Sequence, residues 1–284
     1  MPNQQRTQAE KGKRFRELHQ QDHAFIIPNP WDIGTAKLLE SLGFEALATT
    51  SAGYAFSVGK PDGALSRDEM ITHAAEIVAA TSLPVSADLE NLYVDDPTKV
   101  GETIRMAAAA GLAGCSIEDV PLGRGGEPYE LQLAVDRVRA AAETAHALPF
   151  PFTLTARAEN YIVGRPDLRD TIVRLQAFQE AGADVVFAPG LRTREDIATV
   201  VRSVDRPLNV IMGLQGVQLS LAELSEIGVK RISVGSALSR AALGAFLRGA
   251  HEMIEHGTFN FADDATKYAD LNAMFSQALG NRAA

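Results

Sequence analysis

The chain has 284 residues, 46% of them hydrophobic, and a formal net charge of -9. That length supplies one large α/β domain or two ordinary ones, and the acidic balance argues against nucleic acid or an anionic membrane as a partner. The single cysteine, Cys115, excludes a disulfide framework and a cysteine-based metal cluster and fits a reducing, cytoplasmic compartment.

The polar N-terminus, "MPNQQRTQAEKGKRFRELHQ", has no apolar signal core and reads as a helical lead over 1–24. Strands are expected at Phe25–Pro28, Ala46–Thr50, Val85–Asp88 and Gly114–Glu118, then at Thr153–Arg157, Val185–Pro189, Leu208–Met212 and Arg231–Gly235. Gly43, Gly111, Gly182 and Gly228 precede four of them, where a helix end calls for a left-handed cap residue. Prolines open three others, a place where no ladder donor is lost. Amphipathic runs such as "PTKVGETIRMAAAAG" and "REDIATVVRSV" separate the strands. The strands are short and almost continuously apolar or small, as expected when both faces are covered. Eight strands alternating with helices predict a (β/α)8 barrel spanning 1–284 as one domain; a doubly wound open sheet is the alternative. After the eighth strand, "LSRAALGAFLRGAHEMIEHG" supplies the helix a closed barrel needs. A helical extension over 258–284 then carries Tyr268, Leu271, Phe275 and Leu279 on one stripe.

In such barrels the reacting groups sit at the C-terminal ends of the strands. Those ends offer Asn29, Trp31 and Asp32, then Thr50, Ser51 and Gly53, then Asp88 and Glu90, Glu118 and Asp119, and Arg157, Glu159 and Asn160. Taken singly, each reads equally as a solvated loop charge, a helix cap or a salt-bridged acid. Taken together, they converge on one half of the mouth. Side chains two apart on a strand share a face, so Asp88 and Glu90 point together, and Cys115 faces away from Glu118. Several carboxylates in one space need a counter-charge beyond Arg157. No histidine lies at a strand's C-terminal end, so an all-oxygen donor set suits Mg²⁺ or Mn²⁺ and not zinc. A metal beside an arginine describes a pocket for a small anionic carboxylate, with peptide N–H groups at "TTSAGY" and "SVGSA" as further donors.

The ordered set "NPWDIGTAKLLESLGFEALATTSAGYAFSVGKPDG", "SADLE", "SIEDV" and "TARAEN" resembles the isocitrate lyase/phosphoenolpyruvate mutase family. The resemblance implies a Mg²⁺-dependent barrel that makes or breaks C–C or P–C bonds through the enolate of a 2-oxo acid. By motif match it implies Asp88, Glu90, Glu118 and Asp62 at the metal, and Asp88, Glu118 and Arg157 in catalysis. It places Trp31, Ser51, Ala52, Gly53 and Arg157 at the substrate, and Asn160, at the end of the fifth strand beside Arg157, is a further substrate-binding candidate. It also implies a homo-oligomer, with the C-terminal helix exchanged between the subunits of a dimer within a tetramer. The sequence departs from the family pattern in two places. The loop after the fourth strand, "VPLGRGGEPYELQL", lacks the Lys-(Lys/Arg)-Cys-Gly-His signature of the isocitrate-type lyases, and its polar gating candidates are Arg124, Glu127 and Tyr129. The metal strand reads Asp88-Leu89-Glu90-Asn91-Leu92-Tyr93, without the glycines of Asp-x-Asp-x-Gly-Tyr-Gly. These departures point to a decarboxylase, hydrolase or aldolase-type lyase; a P–C mutase or hydrolase and a non-catalytic acid-binding barrel are the alternatives.

Overall fold

The computed structural model describes residues 6–122 and 126–283, with side chains described as far as residue 276. Helix α1 (Gln8–Leu18) starts at a Thr7–Glu10 capping box and leads into β1 (Phe25–Ile27). Then come α2 (Ile33–Ser41), β2 (Leu47–Ala48), α3 (Ser51–Ser57), α4 (Arg67–Ala80) and β3 (Val85–Ala87). They are followed by α5 (Val100–Ala109), β4 (Gly114–Glu118), α6 (Leu131–His146), β5 (Thr153–Arg157) and α7 (Leu168–Glu180). The chain continues through β6 (Val185–Phe187), α8 (Arg194–Ser203), β7 (Leu208–Ile211), α9 (Leu221–Glu226), β8 (Arg231–Ser233), α10 (Ala237–His256) and α11 (Tyr268–Ala283).

The eight strands form one parallel sheet in the order β1-β8-β7-β6-β5-β4-β3-β2. Its two edges meet where the Ala48 N–H donates to the Pro28 carbonyl at 3.1 Å. The result is a nearly closed barrel with helices outside it, the expected architecture. β4 and β5 have the expected bounds, and the other six strands are shorter because their ladders end before the mouth, where the chain turns into the site-bearing loops. Register does part of the functional work: in the β4–β5 pair Glu118 lies directly beside Arg157.

Helix α1 closes the floor. Phe15 and Leu18 pack with Phe25, Ile27, Ala46 and Ala113 in a cluster separate from the main core between sheet and helices. The approach at this end is close enough to require glycine: a Cβ on Gly114 would stand 2.4 Å from the Thr153 carbonyl oxygen. Cys115 is buried in the main core, on the side of β4 away from the mouth. No helix among the described residues is long and apolar enough to cross a membrane.

One expectation about the barrel wall is corrected. Helix α10 follows β8, yet it does not cover its own barrel, and only Ser239 and Gly249 are buried along its 20 residues. Phe246 is 69% exposed and Ile254 82% exposed. Gly249 packs against Phe261 of the following 3-10 turn, Asn260–Asp264. Helix α11 returns to lie against α2 of the same chain, bringing the Phe275 ring over Gly34, while Tyr268 stays exposed. The side chain of Leu279 lies outside the described residues.

Candidate active site

A cavity of about 290 Å³ opens at the C-terminal ends of the strands. Asp62, Asp88, Glu90, Glu118, Arg157 and Glu159 line one side of it. Ser86, Ser116, Glu118 and Arg157 reach it by strand alternation, as Cys115 and Ile117 turn outward. A larger hollow of about 710 Å³ lies at the opposite end, between α1 and the entrances of β5–β7. There His146 pairs with Asp184 at 3.2 Å, and none of the cavity carboxylates named above is near.

Arg157 is the hub of the mouth. Its Nη1 lies 2.7 Å from Glu118 and 3.0 Å from Asp88, and its Nε donates to Glu159 at 2.8 Å. Asp88 is held from its other side: Oδ2 accepts from the Ser51 N–H at 3.2 Å and the Ser51 hydroxyl at 3.1 Å, and Oδ1 accepts from Ser116 at 3.3 Å. The Ser51 hydroxyl also lies 3.2 Å from Asp62. Beneath this layer, Asp119 accepts from the Glu159 N–H at 2.8 Å and pairs with Arg174 at 3.1 Å, fixing the loop after β5.

Glu90 arrives by a different route from the one strand alternation predicts. Strand β3 ends at Ala87, and Glu90, Leu92 and Tyr93 all have positive φ (52°, 61° and 61°). Side chains other than glycine are disfavoured there, so this turn is strained and must be held. It is held by its neighbours. Arg137 donates to the carbonyls of Asn91 and Val94, the Tyr93 N–H donates to Asn91 Oδ1 at 3.0 Å, and Asn91 Nδ2 donates to the Tyr129 hydroxyl at 2.9 Å.

That network decides the loop candidates. Tyr129 is buried, with its hydroxyl shared between Asn91 and Asp95 and the Arg137 guanidinium over its ring at 4.6 Å; it braces the turn and does not gate. Glu127 pairs with Arg165 on the surface, and Arg124 lies outside the described residues. Three substrate candidates do not line the cavity. Asn160 turns its amide to Asp170 at 2.6 Å. Gly53 sits against Thr50 and Trp31 with no room for a Cβ, and its N–H donates to the Thr50 hydroxyl at 3.2 Å. Trp31 packs there too, its backbone held by Thr35. Ser51 and Ala52 do line the cavity. At "SVGSA", the Val234 and Gly235 N–H groups both donate to Asn29 Oδ1 at 2.9 Å, so they close the barrel and are not free for a ligand.

Four of the acids at the mouth share one electrostatic signature. Burial, followed by repulsion from Asp88, pushes Asp62 above its ordinary value and Glu90 up to about 8. Burial also raises Glu118 and Glu159, against the pull of Arg157. Five carboxylates against one bonded guanidinium make a donor set short of positive charge. It fits a hard divalent cation, with Asp88, Glu90, Glu118 and Asp62 as the oxygen donors. Among the described residues no three Asp, Glu, His or Cys side chains are grouped to grip an ion directly. Bound water would therefore complete the shell, which is how Mg²⁺ is commonly held. Asn29 and Glu159, expected at the mouth, line the site, and Ser116, Asn209 and Arg231 join it beyond the residues expected. Ser116 was predictable from its parity with Glu118, but Arg231 opens its strand and gave no such signal.

Comparison with known proteins agrees with this geometry. Residues 15–254 match the family described as phosphoenolpyruvate phosphomutase. An uncharacterized protein of Mycobacterium tuberculosis is 32% identical over 245 residues, covering 83% of this chain and 87% of that one. The 2,3-dimethylmalate lyase of Eubacterium barkeri is 28% identical over 231 residues, 76% of each chain. A solved structure from Burkholderia cenocepacia, whose lyase or mutase assignment is itself provisional, superposes with a TM-score of 0.91 at 59% identity, covering 94% of this chain and 96% of that one. The chain belongs to the phosphoenolpyruvate phosphomutase family and is an enzyme of that family, whose named members include lyases.

Proposed function

We propose that this chain is a Mg²⁺- or Mn²⁺-dependent lyase that cleaves a C–C bond in a small 2-oxo or 2-hydroxy (di)carboxylate via an enolate, that of a 2-oxo acid from a 2-oxo substrate and that of the departing carboxylate, beside a free 2-oxo acid, from a 2-hydroxy substrate. One observation carries the reading: five carboxylates converge on a 290 Å³ cavity around a single bonded guanidinium. When bound beside Asp88, the cation supplies Lewis-acid polarisation of the substrate's 2-oxygen. The chain's own residues do the positioning. Ser51 and Ser116 orient Asp88, Arg157 spaces Asp88 from Glu118 and Glu159, and the braced turn at 90–93 holds Glu90 over the same space.

The relative named 2,3-dimethylmalate lyase supports C–C cleavage. The family description supports the second reading, a mutase or hydrolase acting on a P–C bond. The same proposal makes the protein a cytoplasmic homo-oligomer built from helix-exchanged dimers. The test is incubation of the full chain with Mg²⁺, Mn²⁺ or EDTA, separately with oxaloacetate, alkyl-substituted malates and phosphonopyruvate, following substrate loss and identifying the products. Metal-dependent turnover of one of the first two classes is expected. Turnover of phosphonopyruvate alone selects the second reading, and turnover undiminished in EDTA overturns the metal. Oxalate binding without turnover of any of them marks a binding barrel.

A further inference from the structure

Among the described residues, Glu90, Leu92 and Tyr93 are the only side-chain-bearing positions with positive φ, and they fall within four residues. Leu92 stands where the Asp-x-Asp-x-Gly-Tyr-Gly pattern has a glycine, so a leucine holds a conformation that glycine adopts freely. Such strain persists only where the surroundings over-determine it. Here they do so through the carbonyls of the turn. One guanidinium brackets the two left-handed residues 92 and 93: Arg137 of α6 donates from Nη2 to the Asn91 carbonyl and from Nη1 to the Val94 carbonyl. Between them, Thr103 of α5 donates to the Leu92 carbonyl at 2.8 Å. On the other flank, the Glu118 N–H of β4 donates to the Glu90 carbonyl at 2.9 Å.

Arg137 is only 1% exposed, and a buried cation is a costly way to fill space that an apolar side chain would fill as well. Its fork is matched to the two ends of one turn, and its other face lies on the Tyr129 ring. Tyr129 has a second task. Its N–H donates to the Asp119 carbonyl at 2.7 Å, and its own carbonyl accepts from Arg174 Nη1 at 2.9 Å. Asp119 in turn holds Arg174 and the Glu159 N–H. One residue therefore ties the turn of Glu90 to the segments that follow β4 and β5. None of Asn91, Thr103, Tyr129 and Arg137 lines the cavity, so their influence on it is indirect.

We propose that Arg137 and Tyr129 are positioning residues for Glu90: by keeping the left-handed turn from relaxing, they set how tightly the acidic wall holds its cation. Without the bracket, residues 92 and 93 return to ordinary backbone conformations, and Glu90 leaves the space it shares with Asp88 and Asp62. The positioning follows from the geometry alone; only its effect on Mg²⁺ rests on the proposed function.

Calorimetric titration of Mg²⁺ into the full chain, together with hydrogen exchange of its backbone amides, tests the role. Arg137→Met fills similar space without donors. It is expected to weaken Mg²⁺ binding by roughly 10- to 100-fold, the loss typical of removing a group behind a metal ligand. Tyr129→Phe removes one hydroxyl and should give a smaller loss in the same direction. In both variants exchange should quicken over residues 88–95 and stay parental in β5 and β6. Because Arg137 acts through Glu90, adding Arg137→Met to Glu90→Gln should weaken binding no further, whereas a brace that only supports the fold would add its full loss. Parental Mg²⁺ affinity in folded Arg137→Met, or in Tyr129→Phe if the first variant does not fold, overturns the proposal. So does full additivity with Glu90→Gln. If the parent chain takes up no Mg²⁺, the metal reading fails and exchange decides by itself: quickening confined to 88–95 upholds the positioning role, and parental protection there overturns it.

Discussion

Arg157 Nη1 stands 2.7 Å from Glu118, its neighbour in register on β4, and this pair organises the mouth. The arginine side chain is only 15% exposed and also reaches Asp88 and Glu159. Arg157→Lys keeps the charge but not the planar fork that serves several carboxylates at once. Each lost charged hydrogen bond costs about 1.5–3 kcal/mol. The melting temperature and kcat should therefore fall together, with kcat/KM down at least ~100-fold. A variant that melts like the parent and differs only in KM would return Arg157 to substrate binding.

Asp88 is the acid most firmly held, by Ser51, Ser116 and Arg157. Asp88→Ala leaves Arg157 paired with Glu118 and Glu159, so the fold should survive. The rise in melting temperature on adding Mg²⁺ should vanish, and activity should fall by more than ~100-fold, beyond the loss typical of removing a group that only supports a metal ligand. A parental Mg²⁺ shift in this variant would remove the cation from this wall.

Glu90 sets a pH dependence. Its folded pKa is raised from 4.5 to about 8, by burial first and then by Asp88 and Asp62. The folded state then holds a proton that the unfolded state has released, so stability falls as pH rises between about 4.5 and 8. Without divalent metal, melting temperatures should decline across that window, and Glu90→Gln should flatten the decline. Since a metal ligand must be deprotonated, Mg²⁺ should stabilise more at pH 8.5 than at pH 6. Equal Mg²⁺ shifts at both pH values would separate Glu90 from the cation.

Cys115 is buried beneath the helices, where burial raises its thiol well above the ordinary range, and it does not line the mouth. Cys115→Ser buries a hydroxyl and should cost about 1–3 kcal/mol of stability. Its kcat should stay within about twofold of the parent. A folded but inactive serine variant would mean that this strand is not oriented as described.

Much of this site was legible because strand alternation is a strict rule. Once β4 and β5 are placed, Glu118 and Arg157 must meet, and Cys115 must turn away. Legibility ended where the chain leaves the ladder. Glu90 reaches the mouth through a left-handed turn, and the Arg137–Tyr129 brace that permits it comes from α6 and the loop before it. Asn160 looked like a mouth residue by position, but an amide three residues past a strand can turn either way, and it turned to Asp170. Arg231 was hidden for the converse reason. A charge at a strand's start reads as exterior, whereas this long side chain lies inside the barrel. The apolar stripes of α10 and α11 were visible, but a stripe does not say which surface it covers.

That last ambiguity makes assembly the most open test. Helix α10 leaves Leu243, Phe246, Leu247, Met253 and Ile254 at the surface, and Phe259 and Tyr268 continue the exposed apolar run beyond it. Monomeric proteins rarely expose a continuous apolar patch of this kind. The helix also stands off its own barrel, so a second copy can be covered by the same element, and a two-fold exchange satisfies both copies at once. We propose that α10, more than α11, is the exchanged element, because α11 already packs on α2 of its own chain. The intact protein should scatter light as a dimer or a tetramer. Phe246→Glu combined with Ile254→Glu should shift it toward monomer and lower its melting temperature. A chain ending at Gly257 should keep the dimer, because it retains α10. A monomeric parent, or a double variant with unchanged mass, would leave the exposed stripe without a partner subunit.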